Sequence, residues 1–436
     1  MPRIDTPGVA SGQGLAKLPL RRLSGITPRL AGWASLAALS LVLFDAALGR
    51  CQIRSQIGGV VCRGGDGVLD AEFQNGVRVH VGAARNGDFA THACAAKLSW
   101  EKQELLAANG VAELDLDAFG ADFGDGVPVA AFQIKKSDLD CCMEYRVYSL
   151  EKPSRLLRSI AGGEYFSAAD VDLDGNVEIW TNDAAAVSGF EKLTLGELHS
   201  PPTIVLRFAH GKLWDASTEF QAYFDREIAG IRAEIPAPDL EEFKHSDGRL
   251  EATPTASTAE RLHRLRTVKI HVLEVVWAFL YSGREQEAWR ALSEMWPPAD
   301  IERIRDAVSE ARQAGMHAQV DGTWSFSPRG KKKNEHIYDA KTDAAANGKW
   351  HVVAPQAILL ELPPGSDPQS PDEAKSKLLL DLVIDECGKV RSVEPVGNVK
   401  VDPDRIRVAF TWKFIPAFSG GRAVASRLRI DVSPKQ

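Results

Sequence analysis

The chain has no Cys-x-x-Cys pair, no Gly-x-Ser-x-Gly elbow, no phosphate loop, no His-Glu-x-x-His and no Gly-x-Gly-x-x-Gly, and its ten histidines are scattered without ligand spacing. Zinc ribbons, thioredoxin-like redox pairs, serine hydrolases, nucleotide-phosphate binders and zinc proteases therefore have no written signature, and an enzyme is the weakest reading. Charge of one sign is lacking too. With 52 Lys and Arg against 59 Asp and Glu, a net charge of −7 over 436 residues gives no long-range pull on a phosphate backbone, so nucleic acid is not expected as a partner. The only basic run, Arg329 to Lys333, stands in a stretch without periodicity and reads as a solvated linker. No uninterrupted apolar run reaches the ~20 residues that a membrane span needs.

What is present begins with an export pattern. Arg21, Arg22 and Arg29 precede an apolar stretch from Leu30 to Leu48. Two readings compete for residues 1–49, a signal peptide cleaved near Ala47-Leu48-Gly49 and an uncleaved membrane anchor. Asp45 inside the run and the shortness of its core favour cleavage. Localisation in the bacterial periplasm or envelope is the expectation, with membrane contact only through this segment. The six cysteines, Cys51, Cys62, Cys94, Cys141, Cys142 and Cys387, then read as structural disulfides, with Cys51 to Cys62 and Cys94 to Cys141 or Cys142 as the expected pairs.

Downstream the chain divides into four parts. Residues 50–215 carry short β-like runs between Gly- and Asp-rich turns, among them Val77 to Val81, Val127 to Ile134, Tyr145 to Leu150 and Thr203 to Phe208. An acidic turn leads into an apolar strand at Asp122 to Ile134 and again at Asp170 to Trp180, which predicts two related hairpins or blades. Residues 216–320 change to a helical period. Leu262, Leu265, Val268, Val272, Val275, Val276, Phe279 and Leu280 form one stripe, Ala288 to Met295 a second, and Ile301, Ile304 and Val308 a third, with Trp277 and Trp289 expected in the core or at its boundary. Residues 321–374 read as linker with a β-like patch at Trp350 to Leu362, and 375–436 as a small C-terminal domain. The fold class expected is multidomain α+β.

The sharpest motif is Asp170-Val-Asp172-Leu-Asp174-Gly175-Asn176-Val177-Glu178. Carboxylates at its first, third and fifth positions converge on a tight turn, the glycine permits the bend, and hard oxygen donors suit calcium. Thr181 occupies the position where an EF-hand needs its bidentate glutamate, and the flanks are β-like. The segment instead resembles the FG-GAP/VCBS hairpin repeats. That resemblance implies calcium held by Asp170, Asp172, Asp174, Glu178 and the carbonyl of Asn176. A second acidic group, Asp115, Asp117, Asp122 and Asp125, has irregular spacing and reads as a weaker candidate.

In the last part, Leu378 to Asp385 reads as a strand, Glu386 to Lys389 as a turn and Val390 to Val396 as the returning strand. Asp402 caps a helix whose buried face is Ile406, Ala409, Phe410 and Phe414, and Val424, Leu428, Ile430 and Val432 alternate with Arg427, Arg429 and Asp431 in a half-buried last strand. Val383-Ile-Asp-Glu-Cys-Gly-Lys-Val390, Trp412-Lys-Phe-Ile-Pro-Ala417 and Gly420-Gly-Arg-Ala-Val424 are similar, in order and spacing, to three sequence blocks of the TonB C-terminal domain. The resemblance implies a ββαβ fold that binds an extended peptide, the TonB box of an outer-membrane receptor, by strand addition. The natural edge is the last strand around Ala425, Arg427, Arg429 and Asp431. The anchor histidine and long Pro-rich spacer of energy-transducing members are absent. The leading expectation is therefore a non-enzymatic envelope protein that binds a protein or extended peptide. An energy transducer for outer-membrane transport and a calcium-dependent surface-binding module are the alternatives.

Overall fold

In the first sheet, β2 (Leu69–Glu72), β3 (Arg78–Asn86), β4 (Phe89–Trp100) and β5 (Gln103–Val111) run antiparallel in chain order. Val79, Val81, Cys94, Ala96 and Leu98 point inward and alternate with more exposed residues, the pattern of a sheet buried on one face. The computed structural model describes residues 60–250, 258–324, 335–339, 352–360, 379–397, 401 and 403–432. The export segment, Cys51, the basic run at Arg329 and the Asp402 cap lie outside them.

A second antiparallel meander follows, β6 (Glu113–Asp122), β7 (Pro128–Lys135), β8 (Met143–Ser149) and β9 (Leu156–Gly163), with the short β1 (Cys62–Arg63) added beside β6. Its strands β6 and β7 are buried almost end to end because both faces are covered there, while β9 is partly exposed. Leu114, Leu116, Phe119, Phe132 and Tyr148 pack on the first sheet. Ala121, Val129, Ala131, Tyr145 and Val147 pack on a third. That third sheet comprises β10 (Phe166–Ala169), β11 (Glu178–Asn182), β12 (Thr203–Ala209) and β13 (Lys212–Asp215), extended in parallel by β14 (Gly322–Thr323). Both acidic turns expected to lead hairpins join the first strand of a meander to its second. The same connection occurs a third time between β2 and β3, where Gly76 at φ 83° closes the turn.

Helices cover the third sheet: α1 (Gln221–Ala233), α2 (Ala237–Lys244), α3 (Ala259–Tyr281), α4 (Glu285–Met295) and α5 (Ile301–Ala314). The last three match the three apolar stripes, while α1 and α2 carried no stripe in the sequence reading. From Val268 to Tyr281, α3 is buried on every side, including Lys269, His271 and Glu274. Each of these finds a partner: Lys269 donates to Glu191 at 2.8 Å, and Glu274 accepts from His199 and Ser200 amides at 2.5 and 2.7 Å. Trp277 is core, and Trp289 lies at the margin under the Arg305 guanidinium.

The C-terminal part opens with the hairpin β18 (Leu379–Ile384) and β19 (Val390–Pro395), then α6 (Pro403–Ala409). Three short strands follow, β20 (Lys413–Ile415), β21 (Ala417–Ser419) and β22 (Arg422–Val424), and β23 (Ser426–Asp431) ends the described chain's last sheet. The β-like patch expected within the linker supplies β16 (Val352–Val353) on β21 and β17 (Gln356–Leu359) on β20, and the linker also contributes a strand that was not expected, β15 (Tyr338–Asp339) beside β23. The strand, strand, helix, strand order is present, with sheet order β15-β23-β18-β19. Two residues depart from expectation. The helix stops at Ala409, so Phe410 is 46% exposed and Phe414 sits in β20, where it joins Leu380, Leu382 and Trp412 in a small core.

The disulfides also differ from those expected. Cys62 pairs with Cys94 and fastens β1 to β4, hence the second sheet to the first, while Cys141 pairs with its neighbour Cys142. Sheet stacking decides this, because it brings Cys62 and Cys94 to a Cα separation of 6.0 Å, and Cys387 remains a buried thiol. Ile57–Gln436 forms one compact unit. Among the described residues, no helix is long and apolar enough to cross a membrane.

Candidate functional site

The loop between β10 and β11 folds around its own carboxylates. Asp170 accepts the amides of Asp174 and Gly175 at 3.0 and 2.9 Å, Asp172 accepts that of Asp174 at 3.2 Å, and Glu178 accepts that of Val171 at 2.8 Å. Gly175 at φ 89° supplies the left-handed residue the turn requires. One carboxylate oxygen from each of Asp170, Asp172, Asp174 and Glu178 lies within 4.8 Å of the others. The structure thus gathers four of the five residues expected to hold a metal. Asn176 uses its amide and its side-chain nitrogen to donate to Asp174 at 2.8 and 3.0 Å.

A residue that the sequence reading did not single out completes the cluster. Arg207 of β12, 2% exposed, donates to Glu178 at 2.6 Å, to Asp174 at 3.1 Å and to Glu219 at 2.7 Å, and lies over the Trp324 ring. The signal for it was a lone arginine inside the otherwise apolar run Thr203 to Ala209. Burial lifts Glu178 to about 8 although Arg207 opposes it, and burial lifts Asp170 to about 6, with the nearby Glu386 charge adding to the shift. Glu386 belongs to the β18–β19 turn, so the acidic loop and the C-terminal hairpin share one field. Arg391 of β19 tempers it, holding Glu335 at 2.6 Å and Glu386 at 3.0 Å.

The donor set fits a hard divalent cation. All four side chains offer oxygen, the amide-accepting oxygens of Asp170, Asp172 and Glu178 each keep a second lone pair, and Arg207 offsets part of the repulsion among the carboxylates. The second acidic group is no such cluster, which corrects the weaker candidate. Asp115 and Asp117 lie inside β6, where a bulge makes Asp117 the extra residue. Asp117 takes the Lys389 ammonium and the Tyr145 hydroxyl, and Asp115 takes the Lys413 ammonium. Asp122 closes its turn by accepting the amides of Gly124, Asp125 and Gly126, and Asp125 accepts the His210 amide.

At the expected binding edge, β23 pairs with β18 along its whole length on one side. On the other side Tyr338 and Asp339 run parallel to Ser426 and Arg427, and the Tyr338 amide donates to the Ala425 carbonyl at 3.0 Å. Ala425 is therefore already engaged. Beyond that point no strand lies beside Leu428 to Ile430 among the described residues. Arg427, Arg429 and Asp431 are exposed as expected, and Arg429 is clamped by both oxygens of Asp381 at 2.7 Å each.

Comparison with known protein families, curated proteins and solved structures gives no match in any of the three.

Proposed function

We propose that the chain is a non-catalytic protein of the bacterial cell envelope that binds an extended segment of a partner protein by strand addition along the outer side of β23. The observation that carries this reading is the chain's own Tyr338–Asp339, which lies parallel on that side and leaves Leu428 to Ile430 beyond it without a neighbouring strand among the described residues. The resemblance of the three C-terminal blocks to the TonB domain supports the same mode, and the basic-flanked apolar segment supports the compartment. Exposed Arg427 next to the edge favours an acidic partner segment.

Amide hydrogen exchange on the full chain, with and without a set of extended peptides from envelope proteins, tests the reading. Alternation along β23 turns the Leu428 and Ile430 amides toward β18 and the Arg429 amide to the open side. The Arg429 amide gains protection when a peptide adds, and Arg429→Pro, which removes that donor, abolishes peptide binding. Protection that appears only along β19, or at no strand, would end the proposal.

The four converging carboxylates support a second role for the same chain: calcium bound by Asp170, Asp172, Asp174 and Glu178, stabilising the third sheet where it meets the C-terminal hairpin.

A further inference from the structure

We propose that the Cys141–Cys142 bond is a thiol-exchange site of the folded protein, opened by a small-molecule thiol or a protein dithiol, and not a staple of the fold. The two disulfides occupy opposite situations. Cys62 and Cys94 are fully buried, lie 32 residues apart and join two sheets, so their bond restrains a long stretch of the unfolded chain. Cys141 and Cys142 are adjacent. A bond between neighbours closes a ring around a single peptide unit, and because the restraint grows with the logarithm of the closed length, it restricts the unfolded chain hardly at all.

Position points the same way. The pair lies in the connection from β7 to β8, just after a local turn in which the Leu139 amide donates to the Ser137 hydroxyl and the Asp140 amide to the Ser137 carbonyl, at 3.1 Å each. Leu139 is 96% exposed and Cys141 is exposed, so an incoming thiolate reaches this sulfur and is shut out from Cys62 and Cys94. The one free thiol among the described residues, Cys387, is buried in the β18–β19 turn and is kept protonated by burial and by Asp385 beside it, which removes it as an internal attacker.

Exchange proceeds in two displacements. A thiolate attacks Cys141 Sγ, the sulfur–sulfur bond breaks, and the electron pair leaves on Cys142 Sγ, which takes a proton. A second thiolate attacks the reagent sulfur of the mixed disulfide, releases the oxidised reagent as its own disulfide, and leaves Cys141 to take a proton. The protein gains two electrons and two protons, and two thiols become one disulfide. The product is a pair of adjacent thiols on an exposed loop, a bidentate ligand for soft ions.

The full chain is treated with graded dithiothreitol, quenched with N-ethylmaleimide and mapped by peptide mass spectrometry. Cys141 and Cys142 become alkylated together at a reductant concentration about tenfold or more below that which exposes Cys62 and Cys94, while circular dichroism stays native. The proposal fails if both bonds open together, if Cys141 and Cys142 open only in denaturant, or if they are already thiols in the oxidised protein. Stability gives a second check. Cys141→Ser with Cys142→Ser melts within about 1 °C of the parent, whereas Cys62→Ser with Cys94→Ser melts well below it. An equal loss in both variants would make the vicinal bond a structural one.

Discussion

Lys413 of β20 places its ammonium on the carboxylate of Asp115 in β6, 298 residues earlier in the chain, with both side chains withdrawn from water. Burial raises Asp115 above the usual carboxylate range and Lys413 opposes the shift. Beside them Lys389 and Asp117 repeat the arrangement, so the C-terminal part meets the second sheet through two charge pairs and through Phe418, whose ring packs on Phe119 of β6 and on Phe73 of the β2–β3 turn.

Removing one partner strands the other. Lys413→Met leaves Asp115 buried without its ammonium partner, with only a long hydrogen bond from Gln133 and the more distant Lys389 charge, and urea unfolding should report a loss of about 3–5 kcal/mol. Combining it with Asp115→Leu should restore most of that loss, because a matched apolar pair leaves no orphaned charge. A double variant as unstable as the sum of the two single ones would mean that the pair is not coupled.

Glu144 predicts an acid limb. Burial would raise its pKa, but hydrogen bonds from Arg146, Ser159 and Lys136 prevail and hold it at about 2, below the ordinary 4.5. Its contribution is therefore complete above about pH 4.5 and lost as pH falls through about 2. Glu144→Gln should cost about 1 kcal/mol at pH 7, solvent screening included, and nothing at pH 2. Thermal melts of both proteins across that range test it, and parallel curves would refute the assignment.

Calcium binding is read by calorimetry and by melting. At a hundred times its dissociation constant, calcium should stabilise the chain by about 2.7 kcal/mol. Asp172→Ala removes one ligand without touching the ion pairs of Arg207, so it should weaken binding and leave the metal-free stability nearly unchanged. Flat traces with the parent chain would dispose of the metal.

Gly388 carries a steric prediction. It stands at φ 83°, and a Cβ there would meet the Phe414 carbonyl oxygen at 1.8 Å. Gly388→Ala should destabilise the C-terminal part by about 2–4 kcal/mol, seen as faster amide exchange in β18 and β20 before the three meanders open.

Local order was largely legible in the sequence. The apolar stripes of α3, α4 and α5 follow from period alone, and the alternation in β23 and the spacing of Asp170, Asp172, Asp174 and Glu178 survive folding because each is set within a few residues. What depended on distant neighbours was not legible. Asp115 and Asp117 look like members of a solvated acidic turn until Lys413 and Lys389 arrive from the far end of the chain. Cys94 has several candidate partners until β1 is placed against β6. Phe414 fits a helical face or a strand equally, and its place is decided by β17, a distant partner whose β-like pattern was legible but whose pairing was not.

The short β15 also acts as a ruler. Its two residues occupy Ser426 and Arg427, so a visiting strand that leaves it in place has only Leu428 to Ile430 to bond, a footprint of roughly 10 Å at about 3.3 Å per residue. A longer visitor has to peel Tyr338 and Asp339 away. Affinity then becomes a contest between a tethered competitor and a free one, and loosening the tether strengthens capture without altering a single atom of β23.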